Sequence, residues 1–247
     1  MAAKLLLISD LDDTLLGDPD ALGRFSAFYS TERHRLAVVY ASGRFFESVR
    51  EDIQTTLLPE PLAVIGGVGS EIRSFPEGEL DQNWIDAISD KWSAEQVRRI
   101  LSDEADLELQ PEKVQSDFKV SCFLRDATQE RLDRLQARLF DAGIHASVIY
   151  SSDRDLDFLP EGVNKGTAAA FIARELGFDR GHVVVAGNSG NDAKLFEHDF
   201  YGIVVSNAHA ELKEYADQRR VYLSPHARAD GVRDGLLYWI GKLTDES

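Results

Sequence analysis

The sequence predicts an α/β fold, a doubly wound parallel sheet into which a second, smaller α/β unit is inserted. Three observations lead there. Short apolar strands alternate with amphipathic helices at both ends of the chain. The stretch between them is richer in helix and charge. Polar clusters stand where the apolar strands end, and open parallel sheets bind ligands beyond those ends. A chain of 247 residues suffices for one large domain or for a core carrying an insertion.

Residues 4–9 form a continuous apolar run, the pattern of a strand buried on both faces. Residues 19–29 read as a helix, with Asp18 as its N-cap and Pro19 in its first position. A strand at 36–40 and a helix at 45–57 follow. A strand at 62–65 then breaks at Gly66, Gly67 and Gly69. The middle holds a helix at 93–102, a strand at 119–124, a helix at 128–142 and a strand at 146–150. Alternation then returns, with a helix at 165–176, strands at 182–186, 202–205 and 221–223, and a closing helix at 231–242. Residues 1–80 and 158–247 are thus expected to form a Rossmann-like core, and 81–157 the inserted unit.

The formal net charge of −16 argues against a general grip on nucleic-acid phosphates and against docking on an anionic membrane. An anionic ligand must therefore meet a local cluster of donors or a metal. Hydrophobic residues make up 43% of the chain, a globular composition. Cys122 is the only cysteine, so an intrachain disulfide and a cysteine-rich metal site are excluded. The apolar run at 5–8 is too short for a signal peptide, and no stretch could span a bilayer. The expectation is a soluble cytoplasmic protein.

Four clusters carry chemistry. The first strand runs into Asp10-Leu11-Asp12-Asp13-Thr14, where Asp10 and Asp12 point to one side of an extended chain. Two acids that close repel unless a cation or proton lies between them, though acids also start helices. The second strand ends in Ala41-Ser42-Gly43-Arg44, a hydroxyl and backbone N–H groups suited to an anion, or an ordinary helix cap at Ser42. Lys165 opens a helix, where positive charge opposes the helix dipole, so it faces either solvent or an anion. Gly187-Asn188-Ser189-Gly190-Asn191-Asp192 suits a metal or phosphate loop, and equally a plain turn.

In this order the four clusters resemble the motifs of the haloacid dehalogenase (HAD) phosphatase superfamily, and the insertion matches the place of its C2-type cap. Asp10, Asp12 and Thr14 match its DxDxT motif, Ser42 its hydroxyl, Lys165 its lysine, and Asn188 with Asp192 its acidic loop. The stretches Gly69-Ser70-Glu71-Ile72 and Leu80-Asp81-Gln82-Asn83-Trp84, with 155–160, resemble more closely the bacterial sucrose-phosphatase family, which includes mannosylfructose-phosphate phosphatase. The resemblance implies an Mg²⁺-dependent phosphatase acting on a phosphorylated sugar, with Asp10 as nucleophile and Asp12 as acid and base. It implies Asp10, Asp12, Asn188 and Asp192 at the metal, and Thr14, Ser42, Gly43, Arg44, Lys165 and Asn191 around the phosphate. Glu71, Lys119 and Gln115 are candidate sugar contacts, each with a surface role as the alternative. Trp84 and Trp92 are either a sugar-stacking pair or core. Association with the glycosyltransferase that makes the sugar phosphate is a further expectation. The family's acidic loop usually reads Gly-Asp, whereas this chain has Asn188, which suggests weakened metal binding. A phosphosugar mutase and a phosphosugar-binding protein with feeble turnover are the alternative readings.

Overall fold

The structure, a computed structural model, describes residues 5–151, 153–214 and 220–245. In chain order its strands are β1 (Leu5–Ser9), β2 (Leu36–Ala41), β3 (Ala63–Gly66), β4 (Glu71–Ser74), β5 (Glu108–Leu109), β6 (Val120–Phe123), β7 (Ala146–Ser151), β8 (Asp155–Pro160), β9 (Val183–Gly187), β10 (Tyr201–Val204) and β11 (Val221–Leu223). The helices are α1 (Pro19–Glu32), α2 (Phe46–Thr55), α3 (Gln82–Ile88), α4 (Ala94–Leu101), α5 (Gln129–Asp141), α6 (Lys165–Glu175), α7 (Ala210–Lys213) and α8 (Arg228–Asp245). No helix among the described residues is long and apolar enough to cross a membrane.

The large sheet has the order β11-β10-β9-β1-β2-β3-β4, parallel throughout except for β4. β1 is buried throughout and central in the sheet, its edges paired with β2 and β9, with Leu7 opposite Val38 on one side and Val184 on the other. Its unbroken apolar sequence follows from that position. α1 begins where the sequence places it: Asp18 accepts hydrogen bonds from the N–H groups of Asp20 and Ala21, and Pro19 opens the helix.

The small sheet is antiparallel, in the order β5-β6-β8-β7. Its alternation sorts two faces. Val120, Cys122, Leu156 and Phe158 join Leu132, Leu135 and Leu139 of α5 in a separate apolar core. Ser121 and Phe123 pair across the sheet with Asp157 and Asp155 on the opposite face. The inserted stretch is set differently from the expected 81–157 at both ends. α3 packs into the large core through Trp84, Ile85 and Ile88, and β8 runs on to Pro160 within the small sheet.

Candidate active site

The polar clusters converge at the carboxyl ends of β1, β2 and β9. Asp10 directly follows β1, and its N–H donates to the Ala186 carbonyl of β9, which fixes it against the neighbouring strand. Across that junction α6 delivers Lys165. A capping box secures the helix start: Asn164 accepts from the Thr167 N–H, and Thr167 Oγ1 accepts from the Asn164 N–H. Lys165 is fully buried and faces anions rather than solvent. Its Nζ donates to Asp10 Oδ1 at 2.7 Å, Asp192 Oδ1 at 2.7 Å and Asn191 Oδ1 at 3.0 Å.

One ammonium thus serves two buried carboxylates. Burial alone would lower the Lys165 pKa, but the charges of Asp10 and Asp192 outweigh it and hold the group above its ordinary range. Asp10 is pushed up to about 7, first by burial and then by the Asp192 charge, with Lys165 offsetting only part of the rise. Such a site favours a further positive charge beside Asp10.

Asp192, expected among the metal ligands, has its oxygens committed to protein donors. Oδ1 accepts from Lys165, and Oδ2 accepts the N–H groups of Asn188 and Ser189. It braces the loop instead. Gly187 makes room for it, since a Cβ there would lie 2.6 Å from the Asp192 Cβ. Asn188 is buried, and its Oδ1 accepts from Thr14 Oγ1 at 3.2 Å. The oxygens gathered here that a cation could meet are those of the Asp10 carboxylate and the Asn188 amide. All are hard oxygens, a set that fits Mg²⁺ in type and is poor in charge. Among the described residues no three His, Cys, Asp or Glu side chains gather as a metal-holding group.

Ser42 is buried but is not a helix cap. Its Oγ accepts the Arg44 N–H at 3.0 Å, and α2 starts only at Phe46. Glu71 takes up the helix start instead, accepting the Phe46 N–H at 2.7 Å through Oε1 while Oε2 accepts from Arg73. Both oxygens of Glu71 therefore serve the fold, which corrects its assignment as a sugar contact. Arg44 lies beside carboxylates, 3.0 Å from Asp12 and 2.6 Å from Asp52, at the rim of the cavity described next.

A cavity of about 670 Å³ opens between these strand ends and the small sheet. Gly43, Phe45 and Asn191 line it from the core, and Gln110, Lys119 and Asp157 from the small sheet. Lys119, for which the sequence left a solvated role open, is only 4% exposed. Its Nζ lies 3.3 Å from Asp157 Oδ1 and 5.4 Å from the centre of the Phe45 ring, and donates to the Gly43 carbonyl at 3.4 Å. It thereby joins small unit and core. Asp157 also accepts from Ser121 Oγ at 2.6 Å, whereas Gln115 spends its amide on Gln110 and Ser121. Asp157 enters the sequence motifs only within the 155–160 stretch, and Gln110 enters none. The alternation Asp155-Leu156-Asp157-Phe158 carries the signal for Asp157, while nothing local marks Gln110. Neither tryptophan lines this cavity. Trp84 packs on Phe171 and donates to the Gly69 carbonyl, and Trp92 donates to the Asp117 carbonyl. Gly69 itself has φ +106°, and a Cβ there would lie 2.5 Å from the Asn164 carbonyl oxygen beside Lys165.

The chain matches the family model described as sucrose-6F-phosphate phosphohydrolase over residues 3–240. It is 35% identical to mannosylfructose-phosphate phosphatase of Agrobacterium fabrum, over 95% of this chain and 96% of that one. It is also 35% identical to sucrose-phosphatase 1 of Nicotiana tabacum, over 87% of this chain but only 53% of the tobacco protein. Among solved structures, the Synechocystis sucrose-phosphatase in complex with sucrose and phosphate superposes with a TM-score of 0.88 at 35% identity, covering 96% of this chain and 98% of that one.

Proposed function

The chain belongs to the sucrose-6F-phosphate phosphohydrolase family, and on that premise we propose that it hydrolyses a disaccharide phosphate, such as sucrose 6-phosphate or mannosylfructose phosphate, through an aspartyl-phosphate. It is a sugar-phosphate phosphatase, a phosphoric monoester hydrolase. One observation carries the finer reading: the buried Asp10–Lys165 pair adjoins, through Asn191, a cavity of about 670 Å³ walled by two sheets. That volume falls within the roughly 300–1,000 Å³ of small-molecule sites.

In this reading Asp10 attacks phosphorus, forming an O–P bond as the bond to the sugar oxygen breaks. Asp12 gives its proton to that leaving oxygen. It then takes a proton from the water that attacks phosphorus and frees Asp10. Lys165 neutralises the transferring group from its place beside Asp10, and the Ser42 hydroxyl, the Gly43 N–H and Asn191 position the phosphoryl oxygens. Asp10, the Asp12 carbonyl and Asn188 would hold Mg²⁺, which when bound supplies the positive charge that lets two anions meet. The four-stranded unit acts as the cap, with Lys119 and Asp157 turned toward the sugar.

The test is release of inorganic phosphate from sucrose 6-phosphate, mannosylfructose phosphate and simple hexose phosphates, with Mg²⁺ and no bisphosphate activator. A disaccharide phosphate should show the highest kcat/KM, by about tenfold or more, in line with the discrimination that added pocket contacts give. Preference for a hexose phosphate overturns the disaccharide assignment. Turnover that requires a bisphosphate overturns hydrolysis.

A further inference from the structure

Asp12 is the least enclosed member of the site, with a side chain 60% exposed, and it has to reach a leaving oxygen. Exposed carboxylates sample several rotamers, while proton transfer requires approach to about 2.6–3.2 Å. Arg44 Nε stands 3.0 Å from Asp12 Oδ2. Arg44 is in turn tethered: its N–H donates to Ser42 Oγ, its carbonyl accepts the Gly67 N–H, and its Nη2 lies 2.6 Å from Asp52 Oδ2 on α2. Its Nη1 donates to Ser48 Oγ at 3.4 Å, whereas the contacts to Asp12 and Asp52 are charge pairs without hydrogen-bond alignment. Arg44 Nε and Nη2 and Asp52 Oδ2 are buried yet lack an aligned partner. A charge pair without a directional bond restrains the Asp12 carboxylate while leaving it free to turn onto a substrate oxygen.

We infer that Asp52 and Arg44 form a positioning relay for Asp12, one that matters in proportion to how much the leaving oxygen needs a proton. The inference rests on the hydrolase reading above. In the first step the sugar oxygen takes the proton of Asp12 as its bond to phosphorus breaks and the Asp10 oxygen bonds to phosphorus. A sugar alkoxide is a poor leaving group and depends on that proton, whereas p-nitrophenolate leaves as a stable anion without it. Arg44 touches neither Asp10 nor Lys165 in this arrangement. Its effect runs through Asp12.

The experiment measures kcat and KM of wild type, Arg44→Ala, Arg44→Lys and Asp52→Asn on a series of alkyl and aryl phosphates, from sucrose 6-phosphate and mannosylfructose phosphate to p-nitrophenyl phosphate, with inhibition by inorganic phosphate alongside. Arg44→Ala should lower kcat/KM, which reports formation of the phosphoenzyme, at least tenfold more on the sugar phosphate than on the aryl phosphate, since misplacing a reacting group by about 1 Å costs up to roughly 10²-fold. Asp52→Asn should show the same selectivity at smaller size, Arg44→Lys should recover part of it, and inhibition by phosphate should stay within about twofold. Equal losses on both substrate types with weakened phosphate inhibition would make Arg44 a phosphate ligand and overturn the relay. Unchanged kcat/KM on alkyl phosphates in both Arg44→Ala and Asp52→Asn overturns it as well. If Arg44→Ala does not fold, Asp52→Asn decides alone, because it keeps the side-chain shape on α2 and alters none of the reacting atoms. Wild type inert on every phosphate ester would instead refute the hydrolase reading.

Discussion

The two walls of the cavity are built on opposite principles. On the core side Asp10, Lys165 and Asp192 are buried and bonded to one another, so their geometry is set before any ligand arrives. On the small-sheet side Lys119 and Asp157 are paired, but around them stand Gln110, Lys113 and Arg154 in an open cavity. Electrostatic preorganisation explains the first wall, since chemistry on phosphorus needs fixed charges. On the proposed reading the second wall meets the sugar, with Gln110 and Arg154 already held by hydrogen bonds to Asp155. On that reading reaction and choice of substrate reside on separate sheets and should be separable by mutation.

The sharpest break is Asp10→Asn. A neutral amide cannot form the phosphoenzyme, so phosphate release should vanish, and retention of even about a tenth of wild-type rate would end the nucleophile assignment. The same variant tests the electrostatics. Folding raises Asp10 from its ordinary 3.8 to about 7, so the folded state binds more protons than the unfolded state in that window. Stability of the metal-free protein should therefore fall as pH rises through it, and metal-free Asp10→Asn should melt above wild type at pH 8 but not near pH 4. Equal melting temperatures at pH 8 would contradict it.

Lys165→Ala comes next. It strands two buried carboxylates, and losing one partner of a buried pair costs about 3–5 kcal/mol, so chemical denaturation should show a loss of that order together with weaker inhibition by phosphate. Lys119→Ala sharpens the contrast from the other wall. It should raise KM for the preferred sugar phosphate by about tenfold while leaving phosphate inhibition within about twofold, and equal changes in both would erase the proposed division of labour. Asn188→Asp is the mildest. A carboxylate in place of the amide should lower the Mg²⁺ concentration for half-maximal activity, because affinity for hard cations follows ligand charge. A half-saturation that stays put or rises would mean that the site is built around the neutral side chain.

The core wall was legible in the sequence because its signals are local. An apolar run that stops at Asp10, and a lysine placed against a helix dipole, each demand a reason within a few residues. Ser42 was open to misreading because its neighbours suggest a cap, whereas the cap of α2 comes from Glu71, on a strand beyond the next one. Lys119 was equally opaque, for its partners Asp157 and Gly43 lie on other elements, and only folding turns a surface lysine into a buried one. Trp84 shows the reverse case. The bland expectation of a core aromatic held, since its ring packs on Phe171 within the large core.

The insertion also dictates an order of assembly as the chain leaves the ribosome. Asp10 and Lys165 are 155 residues apart, and β9, which closes the open edge of β1, comes later still. At roughly 5–20 residues per second, about 10–30 s pass between synthesis of the nucleophile and of its ammonium partner. The β7–β8 hairpin needs only neighbours in sequence and can form in that interval. The four-stranded unit is thus complete in the chain before Lys165 and β9 follow, and of the first four core strands only β1 waits with an open edge.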